Sequence, residues 1–160
     1  CLAILFRCNR KKSFLQDGEE LNIISCVGQS SFHRLKNVTD TARGNLSVGN
    51  FISDIPFNPK RYFLVFDVPS LEVRGQHAHH ACHQFLICVR GSMTVDIDDG
   101  KKKCQITLDS PELGIYLPPL TWAAQHHYSS DSVLLVFASE LYDDQDYIRD
   151  YEKFLIHTSD

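Results

Sequence analysis

Arg74-Gly75-Gln76-His77-Ala78-His79-His80-Ala81-Cys82-His83-Gln84 packs four histidines and one arginine into eleven consecutive positions, then runs straight into the apolar stretch Phe85 to Val89. Side chains along a strand alternate between faces, so an extended reading sets His77, His79 and His83 on one face and His80 on the other. Two imidazoles looking into a barrel make a ready site for acid–base chemistry or for a metal. Beyond Val89, Arg90-Gly91-Ser92 reads as a hairpin turn that returns the chain as Ser92 to Ile97. The next turn lies in Asp98-Asp99-Gly100-Lys101, where glycine supplies the positive φ of a primed turn without steric strain.

The same rhythm extends in both directions. Short runs rich in β-branched and aromatic residues, punctuated by turn residues every 8 to 12 positions, predict Phe32 to Val38, Leu46 to Ile52, Arg61 to Asp67, Glu72 to His77, His83 to Val89, Ser92 to Ile97, Cys104 to Leu108, Gly114 to Leu117, Trp122 to His127 and Val133 to Ala138 as strands. Pro118 and Pro119 end or bend the pattern, because proline donates no ladder hydrogen bond. From Glu140 to Ile156 the acids come first and Tyr147, Ile148, Tyr151, Phe154 and Leu155 follow at helical spacing, which predicts one short amphipathic helix on the barrel. Tyr147, Tyr151 and Phe154 are expected to dock it. The fold class is therefore all-β, a sandwich or barrel with a C-terminal helix. Residues 31–160 form that domain, and residues 1–30, which hold no sustained period, are expected to be an N-terminal extension.

Composition narrows the function. The 160 residues are 43% hydrophobic and 22% charged, enough for a chain of this length to bury roughly 70% of its unfolded surface. A net charge of −4 argues against nucleic acid as partner, since duplex binding needs a concentrated basic face. No apolar run approaches the ~18–20 residues that cross a bilayer, and the basic cluster Arg7, Arg10, Lys11, Lys12 follows the apolar run Leu2 to Phe6, the reverse of a secretory signal. No membrane partner and a cytoplasmic location are expected. Cys1, Cys8, Cys26, Cys82, Cys88 and Cys104 show neither a CxxC pair nor dense spacing, and are expected to be reduced thiols. Glycine-rich phosphate loops are absent, which leaves out nicotinamide and ATP, and Ser110 and Ser139 stand in no nucleophile motif.

The HxH pair, the turn glycine Gly91 and the later prolines resemble the cupin superfamily of small β-barrels, the double-stranded β-helix or jelly roll. Metal-binding cupins complete their site with a glutamate a few residues after the second histidine and a further histidine after the proline segment. Here those places hold His83 and Gln84, then Trp122 and Ala123, so no metal and no other cofactor is expected. A closer resemblance is to the TDP-4-keto-6-deoxyglucose 3,4-ketoisomerases, the WxcM-like sugar-nucleotide isomerases. It is carried in order over residues 32–156 by Arg43-Gly44-Asn45-Leu46, Ile55-Pro56-Phe57, Lys60-Arg61-Tyr62-Phe63, Arg74 to His79, Asp99-Gly100, Leu108-Asp109-Ser110-Pro111, Trp122, Leu135 to Ser139 and Asp146-Tyr147-Ile148-Arg149. His83 stands where some relatives have glutamate, and Ala123 where some have histidine.

That resemblance implies a homodimeric ketoisomerase acting on a TDP-linked keto-deoxysugar. His79 is then the expected base, with His77 shuttling protons between oxygens, since an imidazole of pKa about 6.5 both accepts and returns a proton near neutrality. Arg74, His77 and Tyr62 are expected to meet the enediolate charge, and Arg61 and Arg74 to clamp the diphosphate through planar, permanently charged donors. Phe63, Tyr116 and Trp122 are the candidate rings for sugar or base. The alternatives are a 3,5-epimerase on the same substrate and a non-catalytic cupin that binds a sugar nucleotide.

Overall fold

Period-two alternation of burial is clearest in the strands 61–66, 93–98 and 133–138 of the computed structural model, which describes residues 23–159. In chain order the strands are β1 (Ile23–Ser25), β2 (Ser31–Arg34), β3 (Lys36–Asp40), β4 (Gly44–Val48), β5 (Arg61–Phe66), β6 (Arg74–His79), β7 (Gln84–Arg90), β8 (Met93–Asp98), β9 (Lys103–Leu108), β10 (Leu113–Leu117), β11 (Trp122–His126), β12 (Val133–Ala138) and β13 (Tyr147–Ile148), followed by α1 (Tyr151–His157). A six-stranded sheet, β1-β2-β10-β7-β12-β5, faces a five-stranded one, β13-β6-β11-β8-β9, and β3-β4 form a separate hairpin. Neighbouring strands pair antiparallel. This is the expected jelly-roll barrel with a short C-terminal helix.

The core fills the space between the sheets. Leu86, Cys88, Ile115, Leu117, Leu134 and Val136 from one side meet Met93, Val95, Ile97, Ile106, Leu108 and Ala123 from the other. Strand β7 lacks alternation in sequence because both its faces are covered. Leu86 and Cys88 point into the barrel, while Phe85 and Ile87 point outward beneath Leu35, Ile55 and Phe57.

Several expectations change. The predicted strand Phe32 to Val38 is two strands, β2 and β3, because Leu35 turns in to pack with Ile55 and its N–H donates to Glu112 O. Residues 23–25, placed by sequence in the N-terminal extension, pair with β2 as an edge strand, and residues 1–22 lie outside the described residues. The helix expected across 140–156 starts only at Tyr151. Asp150 caps it by accepting from Lys153 N, Asp143 caps a 3-10 turn ahead of it, and Tyr147 and Ile148 are taken up as β13 against β6. Short aspartates favour caps over helix interiors, and strand pairing overrides the helical spacing. Tyr151 and Phe154 do dock the helix: the Tyr151 hydroxyl donates to Asp98 Oδ2 at 2.6 Å, and Phe154 packs fully buried on Ala78 and Ile148. Cys26 and Cys104, expected as thiols, form a disulfide across 78 residues with Cα atoms 6.6 Å apart, while Cys82 and Cys88 are free. That pairing joins the β1–β2 turn to β9, a proximity that cysteine spacing does not encode. Among the described residues no helix is long and apolar enough to cross a membrane.

One irregularity positions the histidines. Opposite β11, His77 pairs with Ala123 and Gly75 with Ala124, leaving Gln76 as an extra residue. Gly75 (φ 78) and Gln76 (φ 54) both adopt the left-handed region, and the extra residue makes a β-bulge. Arg74 pairs with Gln125, so the bulge brings Arg74 to the same face as His77, although they stand three positions apart. A Cβ at Gly75 would stand 2.8 Å from the Ala123 carbonyl oxygen. Gly75→Ala is therefore expected to destabilise the fold by about 1–3 kcal/mol, read as a lowered urea midpoint. An unchanged midpoint would mean the bulge is not strained.

Candidate active site

Between the sheets lies a cavity of about 190 Å³. Phe63, Val65, Leu86, Leu134 and Val136 make its apolar wall, and Arg74, His77, Gln84, Gln125 and Tyr147 supply the polar groups. Each residue arrives by strand parity. Phe63 and Val65 alternate inward on β5, Leu134 and Val136 on β12, and Arg74 and His77 share a face through the bulge.

His79 sits directly behind His77, with ring centroids 4.9 Å apart and the planes nearly perpendicular. Its Nδ1 lies 2.8 Å from Asp146 Oδ2, and its Nε2 lies 3.1 Å from the Gln84 amide nitrogen. Asp146 in turn accepts from Ala81 N at 2.7 Å and from Cys82 N at 3.2 Å. The Tyr147 ring touches both imidazoles, at 4.3 Å from His79 and 4.9 Å from His77, and carries the Arg149 guanidinium on its face at 4.3 Å.

Burial dominates the electrostatics. Desolvation pushes His79 down to about 4, against the Asp146 hydrogen bond that favours its cation, and the neighbouring His77 and the Arg61 charge push the same way as burial. His77 is also lowered, first by desolvation, with the Arg149 charge adding to it despite a backbone contact at Gly75 that raises it. Both rings are therefore neutral at pH 7 and able to accept a proton.

Of the residues expected in the site, the structure brings together His77, Arg74 and Phe63 in the cavity wall and His79 immediately behind. Arg61, on the inward side of β5, places its guanidinium 5.5 Å from the Phe63 ring centroid and 5.6 Å from that of Tyr142, and its buried Nε has no partner. Tyr62, Tyr116 and Trp122 lie outside this cavity wall, and parity is the reason in each case. Tyr62 follows inward-facing Arg61 and points out to solvent, 68% exposed. Tyr116 lies between core residues Ile115 and Leu117, so it faces outward, where His83 Nδ1 meets its hydroxyl at 2.7 Å. Trp122 precedes core residue Ala123 and packs on Tyr151 and Phe154 of the helix. His83 is thus carried away from His77 and His79.

Asp146, Tyr147, Gln84 and Gln125 were missed as site residues. Asp146 and Tyr147 stand in a quoted motif, but the helical spacing assigns Tyr147 to the docking face of the helix and Asp146 to the acids ahead of it. Gln84 and Gln125 carried no signal except parity, with Leu86 and Ala123 respectively. Among the described residues, His79, Cys82 and Asp146 bring one potential ligand atom each within 4.8 Å of one another. Those groups are engaged already, with Asp146 accepting three N–H donors and the Cys82 thiol donating to the His83 carbonyl.

Residues 28–159 match the family described as FdtA: WxcM-like, C-terminal. A protein of Aneurinibacillus thermoaerophilus named TDP-4-oxo-6-deoxy-alpha-D-glucose-3,4-oxoisomerase is 44% identical over 119 residues, covering 74% of this chain and 85% of its own length. Among solved structures, QdtA, a sugar 3,4-ketoisomerase from Thermoanaerobacterium thermosaccharolyticum in complex with TDP, superposes with a TM-score of 0.79 at 33% identity, over 82% of this chain and 96% of its own. The WlaRB TDP-quinovose 3,4-ketoisomerase from Campylobacter jejuni gives a TM-score of 0.77 at 34% identity, over 81% and 99% of the two chains.

The lowered imidazoles couple folding to pH. The unfolded chain takes up these protons near the ordinary value of 6.5, whereas folded His79 does so only near 4. Stability is therefore full above about pH 6.5 and falls as the pH drops through that window, because the unfolded state binds more protons there. The thermal midpoint is expected to be flat from pH 8 to 7 and to decline from 6.5 to 4, with a shallower decline in His79→Asn. An equal slope in the variant would locate the coupling elsewhere.

Proposed function

This chain belongs to the FdtA, WxcM-like C-terminal family, and on that footing we propose that it is a 3,4-ketoisomerase converting TDP-4-keto-6-deoxyglucose to a TDP-3-keto-6-deoxyhexose through an enediol. The observation that carries the proposal is His77, neutral and in the wall of a half-apolar cavity, backed by His79 and Asp146.

The chemistry needs a base beside C3. The C3 proton passes to His77, the C–H electron pair becomes the C3–C4 double bond, and the C4 carbonyl π pair moves onto the C4 oxygen, which takes up the proton that the C3 hydroxyl releases. The C3 oxygen lone pair then forms the C3 carbonyl as the double-bond pair takes the first proton back from His77 at C4. Such transfer contributes roughly 10²–10⁴ in rate. His79 was expected as the base and His77 as the shuttle. The presence of His77 in the cavity wall, with both His79 ring nitrogens engaged, supports exchanging those roles. Charge developing on the substrate oxygens meets Arg74 and the polar ends of Tyr147 and Gln125, and the hydrocarbon wall excludes water that would screen these contacts.

At about 190 Å³ the cavity is smaller than the roughly 300–1,000 Å³ of pockets that enclose drug-sized ligands. It fits the sugar ring, and the nucleotide lies outside. Arg61 and Arg74 remain the candidates for the diphosphate, while Lys60 is committed to Glu140 at 2.5 Å. The engagement of Asp146 by three N–H donors supports a mechanism without metal. A charged, membrane-impermeant substrate supports a cytoplasmic location.

Heavy-water NMR with TDP-4-keto-6-deoxyglucose tests the reading: deuterium enters the ring and the carbonyl appears at C3. A carbonyl that stays at C4 with inversion at C3 and C5 would mean an epimerase, and no exchange at all would mean a silent binder. His77→Asn should lower turnover about 100-fold or more; near-normal turnover would remove His77 from the base role.

A homodimer is the remaining part of the proposal. On the outer face of edge strand β5, Tyr62, Leu64 and Phe66 are exposed together, with Phe51 and Ile52 also exposed nearby in sequence. An open edge beside an apolar face calls for a cover. Light scattering should show a dimer for the wild type and a monomer for Leu64→Glu, and a monomeric wild type would end this part.

A further inference from the structure

Gln84 opens β7 and points into the barrel on the same face as Leu86, buried and in the cavity wall. Its amide nitrogen stands 3.1 Å from His79 Nε2. An amide NH₂ only donates, so that ring nitrogen must offer its lone pair. On the other side of the ring a carboxylate, which only accepts, faces Nδ1, so Nδ1 must carry the proton. With the amide nitrogen turned to the ring, the two partners together favour the neutral Nδ1–H tautomer.

That matters because His77 is 4.9 Å away between ring centroids. Two imidazolium charges at that distance in a largely desolvated cavity repel strongly, so the pair holds one extra proton at a time. Around His79 the ionisable neighbours are Asp146, His77, Arg61, Tyr147 and Cys82. Asp146 draws a proton to His79, while Arg61 and His77 oppose it. A His79 cation would weaken His77 as a base.

We infer that Gln84 is a positioning residue that decides which histidine is charged: its amide N–H holds His79 neutral, so the proton taken from the sugar carbon resides on His77. The catalytic consequence rests on the ketoisomerase reading, whereas the tautomer belongs to the free protein and is measured without substrate.

Two variants test it by ¹⁵N NMR of histidine-labelled, substrate-free protein at pH 7. The wild type should show His79 as a single Nδ1–H tautomer. Gln84→Glu places a second carboxylate on the ring and should yield a His79 protonated on both nitrogens. Gln84→Leu removes the donor and should give mixed neutral tautomers. With TDP-4-keto-6-deoxyglucose, the Gln84→Glu protein should lose about 100-fold or more in kcat with little change in KM, and Gln84→Leu should lose less. A neutral His79 in Gln84→Glu, or a wild-type His79 with its proton on Nε2, would overturn the inference. Should Gln84→Glu fail to fold, an unmixed Nδ1–H tautomer in Gln84→Leu does the same. The expected tautomers in a wild type that does not isomerise the sugar would uphold the amide's control of His79 and remove the ketoisomerase reading instead.

Discussion

Between Gly75 and His77 the chain carries one residue more than β11 opposite it, and the polar half of the cavity depends on that extra residue. Without it, strand parity would send Arg74 to one side of the sheet and His77 to the other. With it, a permanent cation and a titratable ring share one wall, across from the hydrocarbon of Phe63, Val65, Leu134 and Val136. Glycine is required because φ is positive and a Cβ there would press on the Ala123 carbonyl. The conformation persists because pairing on both sides of the bulge over-determines it.

The same burial that makes the histidines useful works against the fold. Keeping imidazoles neutral inside a low-dielectric cup disfavours their charged forms, so the folded state resists protons that the unfolded chain accepts. A site for proton transfer gains from this: a ring uncharged at neutral pH is a competent base, and the dry wall strengthens each hydrogen bond aimed at the substrate oxygens. Asp146 would pull the system toward an imidazolium, and its two backbone N–H donors share its negative charge. Function and stability here draw on one physical variable, the desolvation of a charge.

The C-terminal segment links the barrel to the site. Asp146 and Tyr147 reach the histidines because β13 pairs with β6, Tyr147 opposite His79 and Ile148 opposite Ala78. Ala78 lies between the two histidines and points outward, so Phe154, Ile148 and Trp122 pack on the back of the strand whose front carries the chemistry. Tyr151 and Lys103 meet at Asp98 and fix the helix to the second sheet. A helix of seven residues has little stability of its own; these contacts hold it, and through β13 they hold the carboxylate.

Hydrophobic period and turn chemistry are local properties of the chain, and they were enough to reach the barrel, most strand positions, the pair His77 and His79, and the inward-facing Arg61 and Phe63, whereas Arg74 joins that face only through the bulge. Parity was local as well, and applied strictly it would have turned Tyr62, Tyr116 and Trp122 away from the cup. The bulge at Gln76, the approach of Asp146 and Tyr147 to His79, the contact of Gln84 with the same ring, the departure of His83 to Tyr116 and the Cys26–Cys104 bond were decided only by tertiary structure. Each joins segments far apart in the chain or changes a register between strands, and such pairings are fixed by long-range burial and ladder hydrogen bonds that no short window of sequence contains.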